Sequence, residues 1–245
     1  MINTRAASVV VVLWSSVVAC VSAPAVVVDR AVVVHDDVTI RAVDGALAVA
    51  DIDVVAAALP AARAQLSRWQ LTWRHPVTIT VHGTVHGFIQ ATGQTVPTLR
   101  AWSTWRDVHL LTTDTWRAHD DDDVRRRLTH ELCHLGLWHR ANAASGLPRL
   151  LTEGVCSVVA DQGNDRLDVD AVIVALDEGR AIDFADDSVF AYAVAHHVVA
   201  GLVRCHGNAA VLAVVDAVAA RDPSTNANLG DFLPAPPREL IGACR

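Results

Sequence analysis

Residues 128–140 read LTHELCHLGLWHR, with His130 and His134 four apart and Glu131 directly after the first. On an α-helix this spacing projects both imidazoles from one side, about 40° apart, so that both can reach a single ion. Two histidines leave such an ion short of a third ligand. Glu153, in Leu150-Leu151-Thr152-Glu153-Gly154, follows the turn Gly146-Leu147-Pro148 and opens a second helix. That helix can fold back to lay its first turn against His130 and His134. The pattern HExxH, eighteen residues, then Glu therefore asks the chain to stack two consecutive helices. Three protein ligands leave a fourth position for water, which distinguishes a catalytic zinc site from a closed structural one. Glu131 cannot bind the metal from its position, but it can take a proton from the water there and pass it to a leaving amine.

The choice of ionic residues adds weight to those glutamates. The chain has no lysine, and glutamate occurs only at Glu131, Glu153, Glu178 and Glu239, while aspartate is abundant. Where Asp is the habitual acid, a Glu points to a need for the longer reach. The chain is 245 residues long and 52% hydrophobic, enough to bury a sizeable core in one domain or two closely packed ones. A net charge of −7 with no basic run lacks the electrostatic footprint of a nucleic-acid binder, so no polynucleotide partner is expected.

The first twenty residues, MINTRAASVVVVLWSSVVAC, carry one positive residue, Arg5, then an apolar run broken only by serines. The run is shorter than the ~20 residues of a membrane-spanning helix and has the shape of a signal-peptide core. Val17-Val18-Ala19-Cys20 resembles a bacterial lipobox, in which the cysteine is lipidated and becomes the mature N-terminus; Val stands where Leu is usual. Cleavage near Ala23 or Ala25, or a buried first strand, are the alternatives. Residues 1–20 are thus expected as an export signal, 21–34 as a linker or first strand, and 35–245 as a single domain. The expected location is the membrane through a Cys20 lipid anchor, or otherwise the periplasm or exterior. Cys133, Cys156, Cys205 and Cys244 remain, an even number that allows three pairings. The preferred pairing joins Cys133 to Cys156, linking the two ligand helices, and Cys205 to Cys244, fastening the tail. Four buried free thiols are the alternative.

Hydrophobic periodicity predicts strands at residues 38–42 and 77–82, and one or two more over 99–112 with Val108, Leu110 and Thr112 on one face. Residues 51–70 have helical spacing, kinked or split at Pro60. The acidic run 120–123 suits a helix N-terminus. Helices are expected over 123–140, 150–161, 189–205 and 208–220, the last two separated by His206-Gly207, with an extended stretch Leu233-Pro-Ala-Pro-Pro in the tail. The fold class is α+β, a strand-rich first half followed by a helical half that carries the metal site.

Residues 130–160, HELCHLGLWHR through LPRLLTEGVCSVVA, resemble the gluzincin metallopeptidases, in particular small bacterial peptidase MA-like proteins whose pattern runs HELxH, then P-x-W-x-x-EG-x-A. The departures are Leu150 or Leu151 where a Trp is common, and Cys156 in place of a small residue. The resemblance implies a zincin-like fold, a bound Zn²⁺ and hydrolysis of a peptide or protein substrate. It also implies a polar side chain from a later helix that steadies the oxyanion. Tyr192, the single tyrosine, fits that place, and His196, one turn on, is its rival. Thermolysin-like relatives carry an Asp one turn after the ligand Glu to orient a ligand histidine; Ser157 stands there instead. Trp102 and Trp105 are candidates to line a substrate cleft beside an edge strand, or else are core. A non-catalytic exported binding or envelope-assembly protein on the same fold is the alternative function. A helical domain without metal is the third reading.

Overall fold

The computed structural model describes residues 30–35, 37–94, 100–112, 124–142, 146–163, 167–221, 229–231 and 233–242. The expected export signal with Cys20, the acidic run 120–123 and Cys244 lie outside the described residues. Within them the chain is a mixed α+β structure. Its five strands are β1 (Arg30–His35), β2 (Val38–Val43), β3 (Val77–His82), β4 (Ala101–Ser103) and β5 (Asp107–Leu111). Seven α-helices are described: α1 (Ala46–Arg68), α2 (Val85–Thr92), α3 (Val124–Ala141), α4 (Arg149–Val159), α5 (Val169–Asp177), α6 (Ser188–Ala219) and α7 (Pro237–Gly242).

The strands form one sheet in the order β1-β2-β3-β5-β4. The central β2, β3 and β5 run parallel, and the two edge strands run antiparallel to their neighbours. Register places Ile40 beside Ile79 and Ile79 beside Val108, then Ala42 beside Val81 and Val81 beside Leu110. All six are buried, and they form an apolar face on which α1 packs. Helix α1 meets the core through Ala48, Ile52, Val55, Leu59, Ala62 and Leu66, the three-and-four spacing of an amphipathic helix. Helix α3 lies on α1, α4 on α3, and the long α6 on α4. Helices α3 and α4 are thereby held between a sheet-backed layer and α6.

The chain departs from the sequence reading in several places. Helix α1 begins at Ala46, immediately after Asp44 and Gly45, both at positive φ, and it continues through Pro60 as one helix. Pro60 is exposed while Leu59 and Ala62 are buried. The proline ring therefore interrupts the ladder on the wet side, where water can satisfy a freed carbonyl. Helices α2 and α5 have eight and nine residues, too short to show a clear period, and are defined by capping. Thr84 accepts a bond from the Gly87 amide and Asp168 one from the Asp170 amide. Residues 233–236 lie outside any helix, and Pro237 then opens the short α7 at the helix position that suits proline. The break at Gly207 is present, with φ 77° and ψ 171° inside α6.

The cysteine pairing is corrected in one half. Cys133 and Cys156 are free thiols, both fully buried, and Cys133 is hydrogen-bonded to Cys156. Burial and that contact push the Cys156 thiol well above its ordinary range. Cys205 is disulfide-bonded.

Candidate metal centre

Helix α3 offers His130 and His134 from one side, and α4 presents Glu153 at its second turn. Glycine decides how α4 sits. A Cβ on Gly154 would stand 2.3 Å from the Ala195 carbonyl oxygen, so only glycine lets α4 lie this close to α6. The residue before it is the candidate ligand Glu153, and Tyr192 is carried on α6 one turn before that contact.

The ligand atoms converge. The Nε2 atoms of His130 and His134 are 3.1 Å apart, and Glu153 Oε2 lies 3.3 Å from the first and 3.4 Å from the second. Ligands at ~2.0–2.1 Å around a tetrahedral ion stand ~3.3–3.4 Å from one another, so the observed triangle already has the size of such a coordination face. One ligand atom from each of the three residues lies within 4.8 Å of the others. This group could hold a metal ion. All three side chains are largely withdrawn from solvent, where an ion competes with less bulk water.

Electrostatics binds the group together without an ion. Burial opposes charging His134, but the carboxylates of Glu153 and Glu131 prevail and hold its pKa above the ordinary 6.5. Burial likewise opposes ionising Glu153, yet the charge on His134 and hydrogen bonds from both imidazoles keep its carboxyl well below the ordinary 4.5. Below its raised pKa, His134 thus supplies the positive charge that a cation would otherwise bring. The Nδ1 of His130 is buried with no hydrogen-bond partner among the described residues, so the usual outer support of a metal-binding imidazole is not supplied by them.

Glu131 points to the opposite neighbour. Its Oε2 accepts a 2.9 Å hydrogen bond from Ser103 Oγ, a buried contact made from the edge strand β4. Sequence reasoning missed Ser103. The available signal was strand alternation, since Ala101 and Ser103 face inward and Trp102 does not, which puts a hydroxyl on an otherwise apolar side.

The two oxyanion candidates separate. Ser157 Oγ donates to the Gln162 carbonyl at 2.8 Å and lies 2.9 Å from His196 Nδ1. Its one proton is spent, so His196 must donate to it. His196 is therefore tied to the far end of α4 and Ser157 does not support a ligand. Tyr192 instead accepts a 3.3 Å bond from Arg149 Nη2. Burial and the nearby Glu153 push its hydroxyl up to about 12, so it keeps its proton and can donate it as a hydrogen bond. Arg149, one turn before Glu153 with Nε 3.6 Å from Oε1, is a second residue not anticipated.

The indoles divide as well. Trp105 stacks on His139 with centroids 4.4 Å apart, and its carbonyl accepts from His139 Nε2 at 3.1 Å. The Arg74 amide donates to His139 Nδ1. His139 is thus a satisfied structural residue, and Trp105 braces the β4–β5 turn against α3. Trp102 is half-buried against the core.

Comparison with protein-family models, with curated proteins and with solved structures finds no match. The assignment of this site rests on its own geometry.

Proposed function

We propose that this chain is an exported zinc-dependent peptidase of the gluzincin type. The observation that carries the reading is the tetrahedral-sized triangle of His130, His134 and Glu153, with Glu131 from the same helix held beside it by Ser103. Two nitrogen donors and one carboxylate suit zinc with an open position. A bound zinc ion supplies Lewis acidity, which makes water nucleophilic near neutral pH and polarises a carbonyl. Glu131 takes the proton from the attacking water and returns it to the leaving amine, the Ser103 hydroxyl fixing one of its oxygens so that the other faces the reaction. Tyr192 donates a hydrogen bond to the carbonyl oxygen as charge develops there. Edge strand β4 offers backbone groups to an extended peptide, added as a further strand beside Glu131. Export and anchoring follow from the lipobox-like Cys20.

The test joins metal analysis with hydrolysis. Purified protein should carry about one zinc per chain, and Glu131→Gln should lower cleavage of a peptide library by ~10²–10⁴-fold with zinc retained. Zinc with no cleavage of any peptide would favour the non-catalytic binding module. Protein that takes up no zinc would sink both. For the anchor, Cys20→Ser should move the protein from the membrane fraction to the soluble one.

A further inference from the structure

Among the described residues, one guanidinium stands beside the candidate metal centre. Arg149 Nε lies 3.6 Å from Glu153 Oε1, and its Nη2 donates to Tyr192 at 3.3 Å. Its guanidinium carbon is 4.7 Å from the centroid of the Phe184 ring and 5.9 Å from that of Tyr192. Those rings meet edge to face at 5.3 Å. The side chain is nevertheless 54% exposed, and its Nη1 has no hydrogen-bond partner among the described residues. An arginine that only braced Glu153 would need no aromatic clamp, and a half-exposed pair at this distance contributes little. The clamp instead fixes the direction of spare donors.

Charge adds the second argument. With a divalent cation bound, Glu153 and Glu131 together offset the ion. Among the charges of the described site, that of Arg149 then remains over, on a planar fork suited to a carboxylate. We infer that Arg149 determines specificity by pairing with a carboxylate of the substrate, either a C-terminal α-carboxylate or an Asp or Glu side chain near the scissile bond. The contacts from Arg149 through Glu153 to the imidazoles are 3.6 Å and 3.3–3.4 Å. The carboxylate therefore falls within about three extended residues (~10 Å) of the scissile bond. This inference rests on the peptidase reading and narrows its substrate class to anionic peptides.

The experiment uses zinc-loaded Glu131→Gln protein, in which peptide binding is separated from cleavage. Three N-acetylated peptides of one length are titrated calorimetrically: a free acid with uncharged side chains, its neutral C-terminal amide, and the amide with one internal Gln changed to Glu. One of the anionic peptides should bind ~10–100-fold more tightly than the neutral amide, and which one does so identifies the source of the carboxylate. Adding Arg149→Ala should erase that preference while changing affinity for the neutral amide less than about threefold, and Arg149→Lys should restore part of it. Should Arg149→Ala not load zinc, Arg149→Gln, which keeps the stem beside Phe184, carries the comparison. Equal affinity for all three peptides, or an equal loss for all three on removing Arg149, overturns the inference and leaves the metal reading intact. Absence of zinc from the Arg149-containing protein overturns both.

Discussion

Glu131 is steadied by a bond that does not come from its own helix. The Ser103 hydroxyl reaches it across 28 positions of sequence, and a neutral donor to a buried carboxylate is worth about 1.5–3 kcal/mol. Ser103→Ala should therefore lower kcat by about 10–100-fold with KM little changed, and Ser103→Thr should recover most of it; steady-state kinetics distinguish this from loss of fold. The proton on His134 gives a second outcome. Because its pKa is held above 6.5, a metal must displace that proton over the whole range below it. Apparent zinc affinity should fall about tenfold per pH unit on acidification, measurable by competition with a chelating dye. In the metal-free protein the signs are opposite for the two partners. The His134 contribution to stability is complete below 6.5 and lost as pH rises through its raised pKa. That of Glu153 is complete above 4.5 and lost as pH falls through its lowered one. His130, Glu131 and His134 were legible in sequence because helix geometry fixes their relation from spacing alone, and Glu153 because a Gly-Leu-Pro turn sets its helix to fold back on theirs. Ser103 was not, since only the folded sheet brings it to α3. Arg149 was hidden differently: an Arg four before a Glu on a helix reads as an ordinary surface pair, and its partners Phe184 and Tyr192 are distant in sequence.

At the level of helices and strands, the decisive contact is α4 against α6. Gly154→Ala should cost about 1–3 kcal/mol, because the added carbon meets a backbone oxygen at 2.3 Å that no rotamer can avoid. It should also weaken zinc binding, since Glu153 moves with its helix; denaturant unfolding and metal titration check the two separately. The sheet carries its own titration. His82 on β3 and His109 on β5 share a 3.0 Å bond, with Nδ1 of His82 3.7 Å from Asp44. Burial, then the charge of His109, push His82 down to about 4 despite Asp44. The unfolded chain takes up a proton near 6.5 while the folded one resists. Stability should therefore decline as pH falls from 6.5 towards 4, by about 1–3 kcal/mol, and His82→Gln should flatten that slope in denaturation curves. Strands β2, β3 and β5 and the long helices were legible because their periods extend over enough residues to be read. Helices α2 and α5 were not, because a cap and two turns leave little periodic signal.

For the molecule as a whole, the candidate ligands come from α3, packed on α1 and hence on the sheet, and from α4, packed on α6. An ion shared by them couples the strand-bearing half to the helical half. Zinc at ~1,000 times its dissociation constant should stabilise the fold by about 4 kcal/mol, a rise of roughly 8–16 °C in Tm for a chain of this size, reversed by a chelator in calorimetry. Helix α6 is long and apolar enough to cross a membrane by composition, but 44% of that stretch is buried within the protein, and its contacts with α4 and α7 are those of a core helix. The division into a strand-bearing first half and a helical second half was readable from composition and period. The fate of the cysteines was not, because proximity of two thiols does not dictate their redox state. Cys133 sits on one ligand helix and Cys156 on the other, reduced and sealed from water. They form a built-in gauge of breathing at the centre: an alkylating reagent can reach either sulfur only when the two helices part, so the modification rate clocks that opening directly, and a bound ion should slow the clock in proportion to its grip.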